Sequence, residues 1–183
     1  MSKIILGLVG PLASGKEATK KYLVEKYNAK DCKFSTVLRD VLNRITIPTS
    51  RENLQKLSTI LRENFGEDLL AKTIANDASK LEADIVVIDG VRRPTDIEHL
   101  LELPNFFLIK IDADSQIRYK RLIERNENVG DSEKTYEQFL KDHESEADSL
   151  VPQVMATAKH SIENNSSFED LYKQIDKIIE ELK

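Results

Sequence analysis

Short, nearly unbroken apolar runs alternate along this chain with longer stretches in which apolar residues recur every three or four positions. Ile4–Val9, Asp84–Gly90 and Phe106–Ile111 are runs of the first kind, apolar at successive positions as in strands buried on both faces of a parallel sheet. Asp31–Phe34 reads as a shorter strand and His160–Glu163 as a weak, edge-like one. Between them the spacing predicts helices. The first follows Lys16 and carries Ala18, Tyr22, Leu23, Lys26 and Tyr27; the next starts at Ser35-Thr36 with a stripe from Val37 to Ile45. Leu54–Phe65 continues after a break at Pro48-Thr49-Ser50, where Ser50 and Asn53 make a partial capping box, and Gly66 closes it. Leu69–Leu81, Pro94–Leu103, Asp114–Arg125, Tyr136–Ala147, Leu150–Ala158 and Phe168–Leu182 complete the set, with a polar, mobile loop expected at Asn126–Thr135. Strand and helix alternate throughout. The expectation is one α/β domain over residues 1–183, with a parallel sheet covered by helices on both faces.

The join between the first strand and the first helix carries the chemistry. Gly10-Pro-Leu-Ala-Ser-Gly15-Lys16 fits the pattern GxxxxGK in the strand–loop–helix context that makes it a phosphate-binding candidate. Gly10 and Gly15 allow the backbone to curl so that successive N–H groups converge on one anion. The helix N-terminus adds unpaired donors, and Lys16 a mobile full charge for the outer phosphates. The candidate nucleotide-contacting residues are therefore Gly10, Ala13, Ser14, Gly15, Lys16, Glu17 and Ala18. The position after the lysine usually holds Ser or Thr, whose hydroxyl sits on Mg²⁺; here it is Glu17, and the first hydroxyl comes at Thr19.

Composition narrows the partners. With 40% hydrophobic and 32% charged residues the chain can bury a core of its own. A formal charge of −5 argues against a general nucleic-acid or anionic-membrane binder. No apolar run reaches the roughly 18 residues of a membrane span, and the start of the chain is strand-like, without a signal-peptide layout. Cys32 stands alone, so no disulfide framework or cysteine-based metal site is expected. The default is a cytoplasmic monomer or homodimer with no nucleic-acid or membrane partner.

All nine arginines lie between Arg39 and Arg125, whereas lysines spread from Lys3 to Lys183. Guanidinium is the preferred fork for phosphate and carboxylate, so an acidic chain that handles polyanions would gather its arginines in this way. Ligands of open parallel sheets bind at the carboxyl ends of strands. At those ends the order of the chain places the glycine loop, then Ser35-Thr36 with Arg39, then Asp89-Gly90-Val91-Arg92-Arg93. Asp89 ends an apolar run where an acid can hold Mg²⁺ or act as a base; its ordinary alternative is a turn or helix-cap aspartate. Arg118, Arg121 and Arg125 recur at i, i+3 and i+7 beside the loop to Gly130, a row that can close over a moving phosphoryl group or form a salt-bridge face with Asp114, Glu124 and Glu127. His99, His143 and His160 have no ligand spacing, and the acidic run Asp142–Asp148 reads as a solvated face.

Together these segments resemble the nucleoside monophosphate kinase group of P-loop proteins, especially small adenylate-kinase-related proteins, and more loosely dephospho-CoA kinases. The resemblance covers nearly the whole chain. FSTVLRD (Phe34–Asp40) is similar to the segment in which adenylate kinases hold the acceptor's phosphate, which implies Ser35 and Arg39. Glu52–Lys72 is similar to a segment of deoxynucleoside monophosphate kinases with a glutamine and an arginine, here Gln55 and Arg62. VVIDGVRRPTDIE (Val86–Glu98) looks like the third-strand motif, RYKRLIER with Gly130 and Asp131 like the lid, and HSIENNSSFEDL like the last strand and adenine-side loop, with Asn164 or Asn165 near the base.

The resemblance implies a three-layer P-loop kinase fold: a five-stranded, mainly parallel sheet, acceptor-binding helices at 35–80 and a short lid at 118–148. It implies ATP and Mg²⁺, the latter on Asp89, and transfer of the γ-phosphoryl group to a nucleotide-like phosphate acceptor. Lys16, Asp89, Arg118 and Arg121 would carry the transfer, and Ser35, Arg39, Arg62 and Arg92 the acceptor. Gly-Lys-Glu-Ala departs from the Gly-Lys-Gly-Thr of adenylate kinases and the Gly-Lys-Ser-Thr of dephospho-CoA kinases. A dephospho-CoA kinase, a nucleotide-binding sensor with little transfer activity and a hydrolase stay open as alternatives.

Overall fold

Strand β1 (Ile4–Val9) is buried at all six positions, and its alternation divides the interior in two. Ile5 and Val9 point into one core, Ile4, Leu6 and Leu8 into the other. The computed structural model describes residues 3–125, 131–142 and 149–183. In it β1 is the middle of a five-stranded sheet ordered β2-β3-β1-β4-β5, with β2 (Lys30–Lys33), β3 (Ile85–Asp89), β4 (Phe106–Asp112) and β5 (His160–Glu163). Every pairing is parallel, so all strand carboxyl ends emerge along one edge. The two weakly apolar strands, β2 and β5, are the edge strands, because only a central strand has to be apolar on both faces.

Helices α1 (Lys16–Tyr27), α2 (Phe34–Arg44), α3 (Arg51–Phe65), α4 (Leu69–Lys80), α5 (Pro94–Leu101), α6 (Ser115–Arg125), α7 (Tyr136–Asp142), α8 (Val151–Thr157) and α9 (Phe168–Leu182) complete the architecture. Leu38 of α2, Ile74 of α4, Leu100 of α5 and Val154 of α8 pack on the Ile5 face; Leu23 of α1 and Leu171, Ile175 and Ile179 of α9 pack on the other. Each such side chain contributes about 1.5–3 kcal/mol on burial. The α/β fold with both faces covered is as the sequence predicts. Phe34, expected to end β2, instead opens α2 with its ring in the core. Residues 126–130 and 143–148, with the expected loop around Gly130, most of the acidic run and His143, lie outside the described residues. No helix among the described residues is long and apolar enough to cross a membrane.

Cys32 is buried, and its thiol is pushed up to about 11, chiefly by burial and then by Asp77 and Asp31. His99 Nε2 lies 2.8 Å from Asp68 Oδ2, and the His160 ring meets Phe107 edge-on, which gives both structural contacts.

One buried ion pair ties α3 to α5. Asp96, 2% exposed in the first turn of α5, accepts the backbone N–H groups of Arg92 and Arg93 on Oδ2, both at 3.0 Å, and Arg62 Nη2 of α3 on Oδ1 at 2.8 Å. Arg62 also donates to the carbonyl of Glu67. The expected acceptor-binding Arg62 thus lies in the interior, where Nη1 and Nη2 tie α3 to the Glu67 and Asp96 segments while Nε has no hydrogen-bond partner among the described residues. Removing one partner of a buried pair strands the other charge, so Asp96→Ala should cost about 3–5 kcal/mol in urea unfolding. The double variant with Arg62→Met should cost clearly less than the sum of the two single changes. Additive losses would mean the two side chains do not act as a pair.

Candidate phosphate-binding site

From the end of β1 the chain turns through Gly10–Gly15 into α1. Ala13 has φ 60° and Gly15 φ 112°, on either side of Ser14. Alternating hand turns successive N–H groups to one side, the geometry of an anion-binding concavity. Neither glycine position has room for a side chain. A Cβ on Gly10 would lie 2.1 Å from the main-chain oxygen of Ile111, and one on Gly15 2.1 Å from Nδ2 of Asn164. Among the described residues no side chain caps α1, and a helix N-terminus of this kind carries N–H groups able to meet an anion. Lys16 Nζ bends back over the loop and donates to the carbonyls of Gly10 and Pro11 at 2.7 and 2.8 Å.

Arg118 and Arg121 turn inward from α6 toward this loop. Arg118 is 8% exposed; its Nε donates to Ala113 O at 2.9 Å and its Nη1 to Leu12 O at 3.3 Å, and it lies over the Phe139 ring of α7. Arg121 Nη2 reaches Asn164 Oδ1 at 3.4 Å. Burial makes both guanidiniums hold their protons less tightly than usual, with Asp112 and Tyr136 opposing this at Arg118. Arg125, the third member of the expected row, is exposed at the end of α6.

Among the described residues, Ser14 Oγ, Thr19 Oγ1 and Arg121 Nη1 near the loop are buried without a hydrogen-bond partner, as are Arg62 Nε and Thr95 Oγ1 elsewhere. Each such orphan costs about 1–3 kcal/mol unless something meets it.

Asn164, at the end of β5, joins these parts. Its N–H donates to Asp112 O at 2.7 Å, its Nδ2 to Ser14 O at 2.8 Å, and its Oδ1 accepts from Arg121. It is buried beneath the phosphate loop, not displayed toward a base. Asn165 Oδ1 accepts from the N–H of Asp114.

Asp89, at the end of β3, faces α1. Its Oδ2 lies 3.2 Å from Lys20 Nζ and 4.0 Å from Lys33 Nζ. Lys20 also takes up the carboxylate of Glu17, at 2.5 Å. Ala18 packs against the core on the α1 side. On the other flank Ser35 lies in the first turn of α2, half-buried, with Arg39 exposed one turn on and Arg92 exposed just after β3. Arg93 Nη1 is 3.7 Å from Glu67 Oε2. A cleft of about 480 Å³ opens beside the loop, between Pro11, Lys110, Asp112, Arg118, Val151 and Met155.

No protein-family model matches the chain. A UPF0200 protein of Pyrococcus abyssi is 29% identical over 98% of this chain and 97% of its own length. One from Saccharolobus islandicus is 28% identical over 96% and 92%. Among solved structures, shikimate kinase from Bacteroides thetaiotaomicron superposes with a TM-score of 0.63 at 13% identity, covering 98% of both chains. TT1252 from Thermus thermophilus gives 0.62 at 16%, covering 100% of both. Shikimate kinase from Acinetobacter baumannii, in complex with shikimate, gives 0.57 at 17%, over 99% and 95%. The chain has the P-loop kinase fold.

That fold ordinarily handles ATP with Mg²⁺ held in part by the hydroxyl after the loop lysine and by a strand-end acid. The glycine loop and Lys16 fit the phosphates. The donors here do not fit a metal ion held by the protein. Glu17 replaces the hydroxyl and faces Lys20, and Asp89 is ion-paired. Among the described residues no three His, Cys, Asp or Glu side chains gather around a metal position. Sequence reasoning missed Lys20, whose only signal is its helical i,i+3 spacing to Glu17, and the supporting role of Asn164, for which no local signal exists.

In a P-loop kinase fold built this way, Gly15 and Asn164 are one unit. Gly15→Ala should cost about 1–3 kcal/mol from its backbone conformation alone, with a further loss from the collision with Asn164. Asn164→Ala removes that collision, so the double variant should be more stable than the sum of single losses predicts, by at least about 0.5 kcal/mol in urea unfolding. Strict additivity would mean that the two residues are not in contact in solution.

Proposed function

We propose that the chain is an ATP-dependent phosphotransferase that moves the γ-phosphoryl group of ATP to a nucleoside or deoxynucleoside monophosphate. The observation that carries this reading is the loop itself: a left-handed alternation at Ala13 and Gly15 beside Lys16, with the Ser14 hydroxyl and Arg121 Nη1 buried and unpartnered among the described residues. Phosphoryl transfer asks the protein mainly for positioning and for cations on the equatorial oxygens. Lys16 and the loop amides would cradle the donor's phosphates, and Arg121 Nη1 would meet the moving group. Arg118, held on the carbonyl of Leu12, would add charge while fixing the loop. Ser35, Arg39 and Arg92 would hold the acceptor's phosphate. Mg²⁺ would enter as part of the MgATP chelate.

In this reaction an oxygen of the acceptor's phosphate bonds to the γ-phosphorus while the bond to the ADP oxygen breaks. An ionised phosphate needs no base to attack. That suits a site whose strand-end carboxylate is already engaged by ammonium groups. A dephospho-CoA kinase must take a proton from a ribose hydroxyl, and Asp89 paired with Lys20 is poorly disposed to do so. Glu17-Ala18 favours a second reading, a nucleotide-binding sensor with little transfer activity.

The test is ADP formation from MgATP with each nucleoside and deoxynucleoside monophosphate, with dephospho-CoA, and with no acceptor. Lys16→Ala serves as the control. Turnover with one monophosphate, falling at least a hundredfold in the control, is expected. ADP equal in all wells would indicate a hydrolase, and turnover with dephospho-CoA alone the hydroxyl-directed alternative. Silence with ATP still bound would establish the sensor.

A further inference from the structure

Lys20 is an unusual residue to find inside this site. It lies one helical turn after Lys16, is 5% exposed, and aims its ammonium at the strand ends. Its Nζ is 2.5 Å from Glu17 Oε2, 3.2 Å from Asp89 Oδ2 and 3.8 Å from Asp31 Oδ2. Lys33 Nζ adds a second cation, 3.3 Å from Asp31 Oδ2 and 4.0 Å from Asp89 Oδ2. The sheet imposes this meeting, since β2 and β3 pair with Lys33 opposite Asp89 and Asp31 opposite Val87. Burial works against the Lys20 charge, but the Glu17 hydrogen bond and the fields of Asp89 and Asp31 outweigh it and raise its pKa above the usual lysine value. A buried ammonium persists only with such partners.

We propose that Lys20 is a resident cation in the place where a P-loop protein ordinarily gathers its acids around a divalent ion, so that Asp89 serves Lys20 and not a metal. The two departures in the loop then have one explanation. A hydroxyl after Lys16 is dispensable if no metal has to be held there, and Glu17 becomes a partner for the ammonium in its stead. Lys20 is thus a positioning residue. It fixes Glu17 at the start of α1 and Asp89 at the end of β3, and so sets the distance between the glycine loop and the Arg92 segment. The inference uses the phosphate loop but does not require that the chain transfers phosphate.

The experiment compares thermal midpoints of the wild-type chain and Lys20→Met, free of nucleotide, in EDTA, in millimolar MgCl₂, and in NaCl of equal ionic strength. Wild type should not move between MgCl₂ and NaCl. Lys20→Met, left with uncompensated carboxylates, should be destabilised in EDTA and regain about 3 °C or more with Mg²⁺ over NaCl. A wild-type midpoint raised by Mg²⁺, or a folded variant indifferent to it, overturns the proposal.

A second measurement stands if Lys20→Met does not fold. Calorimetric ATP affinity of wild type and Asp89→Asn is compared in Mg²⁺ and in EDTA. The ratio between the two conditions should be the same for both proteins, within about threefold. A ratio that collapses tenfold in Asp89→Asn would show that Asp89 does reach a nucleotide-borne metal. A chain that bound no ATP would defeat the proposed function and leave the midpoint comparison to decide this one.

Discussion

The glycine loop keeps its shape because neighbouring strands occupy the space its side chains would need. The carbonyl of Ile111 closes off Gly10, and the amide of Asn164 closes off Gly15 while accepting the load of the loop through Ser14 O. The loop is held by the ends of β4 and β5, which reach it only because both strands run parallel to β1 in the order β1-β4-β5. A polar network of this kind in a low-dielectric setting rigidifies what it touches. The same amide group carries Arg121 on its other end, so the position of a candidate catalytic guanidinium and the curl of the loop are set by one residue.

A second polar layer lies on the opposite flank and is made almost entirely of ion pairs. Lys20 and Lys33 bind Asp31 within β2 and Asp89 at the end of β3, and Arg62 with Asp96 binds α3 to α5. Such groups add little net stability compared with apolar packing, but removing one partner is expensive. They therefore act as registers. Arg92 and Arg93 enter α5 under backbone hydrogen bonds to Asp96, which gives the Arg92 segment a fixed starting point beside Asp89. The two flanks together place the loop, Lys16, Arg121 and the exposed Arg39 and Arg92 around the carboxyl edge of the sheet, an arrangement that supports the proposed phosphate-handling role.

Much of this was legible in the sequence, and what was not has a physical reason. The strands β1, β3 and β4, the helix that follows the glycine loop, and the parallel α/β class all follow from local periodicity, because burial on two faces leaves no room for polar residues. The phosphate loop was legible because its glycines, lysine and flanking elements lie within a single continuous stretch. The fate of individual charges was different. Arg62, Arg118 and Arg121 are all arginines on helices, yet Arg62 is paired with Asp96, Arg118 is bonded to the loop at Leu12 O, and Arg121 reaches Asn164 beneath the loop with one buried donor unpartnered among the described residues.

By itself, then, the sequence determined the order and kind of the elements and the presence of a loop able to hold phosphate. Only the tertiary structure decided which charges remain for a ligand. Asn164 stands about 150 positions from Ser14 along the chain, and Lys20 meets Asp89 across a separation of 69. Hydrophobic periodicity is a property of neighbours along a strand or helix. Ion pairing is a property of strand ends brought together by sheet order, and nothing in the local spacing of Lys20, Asp89 or Asn164 encodes it.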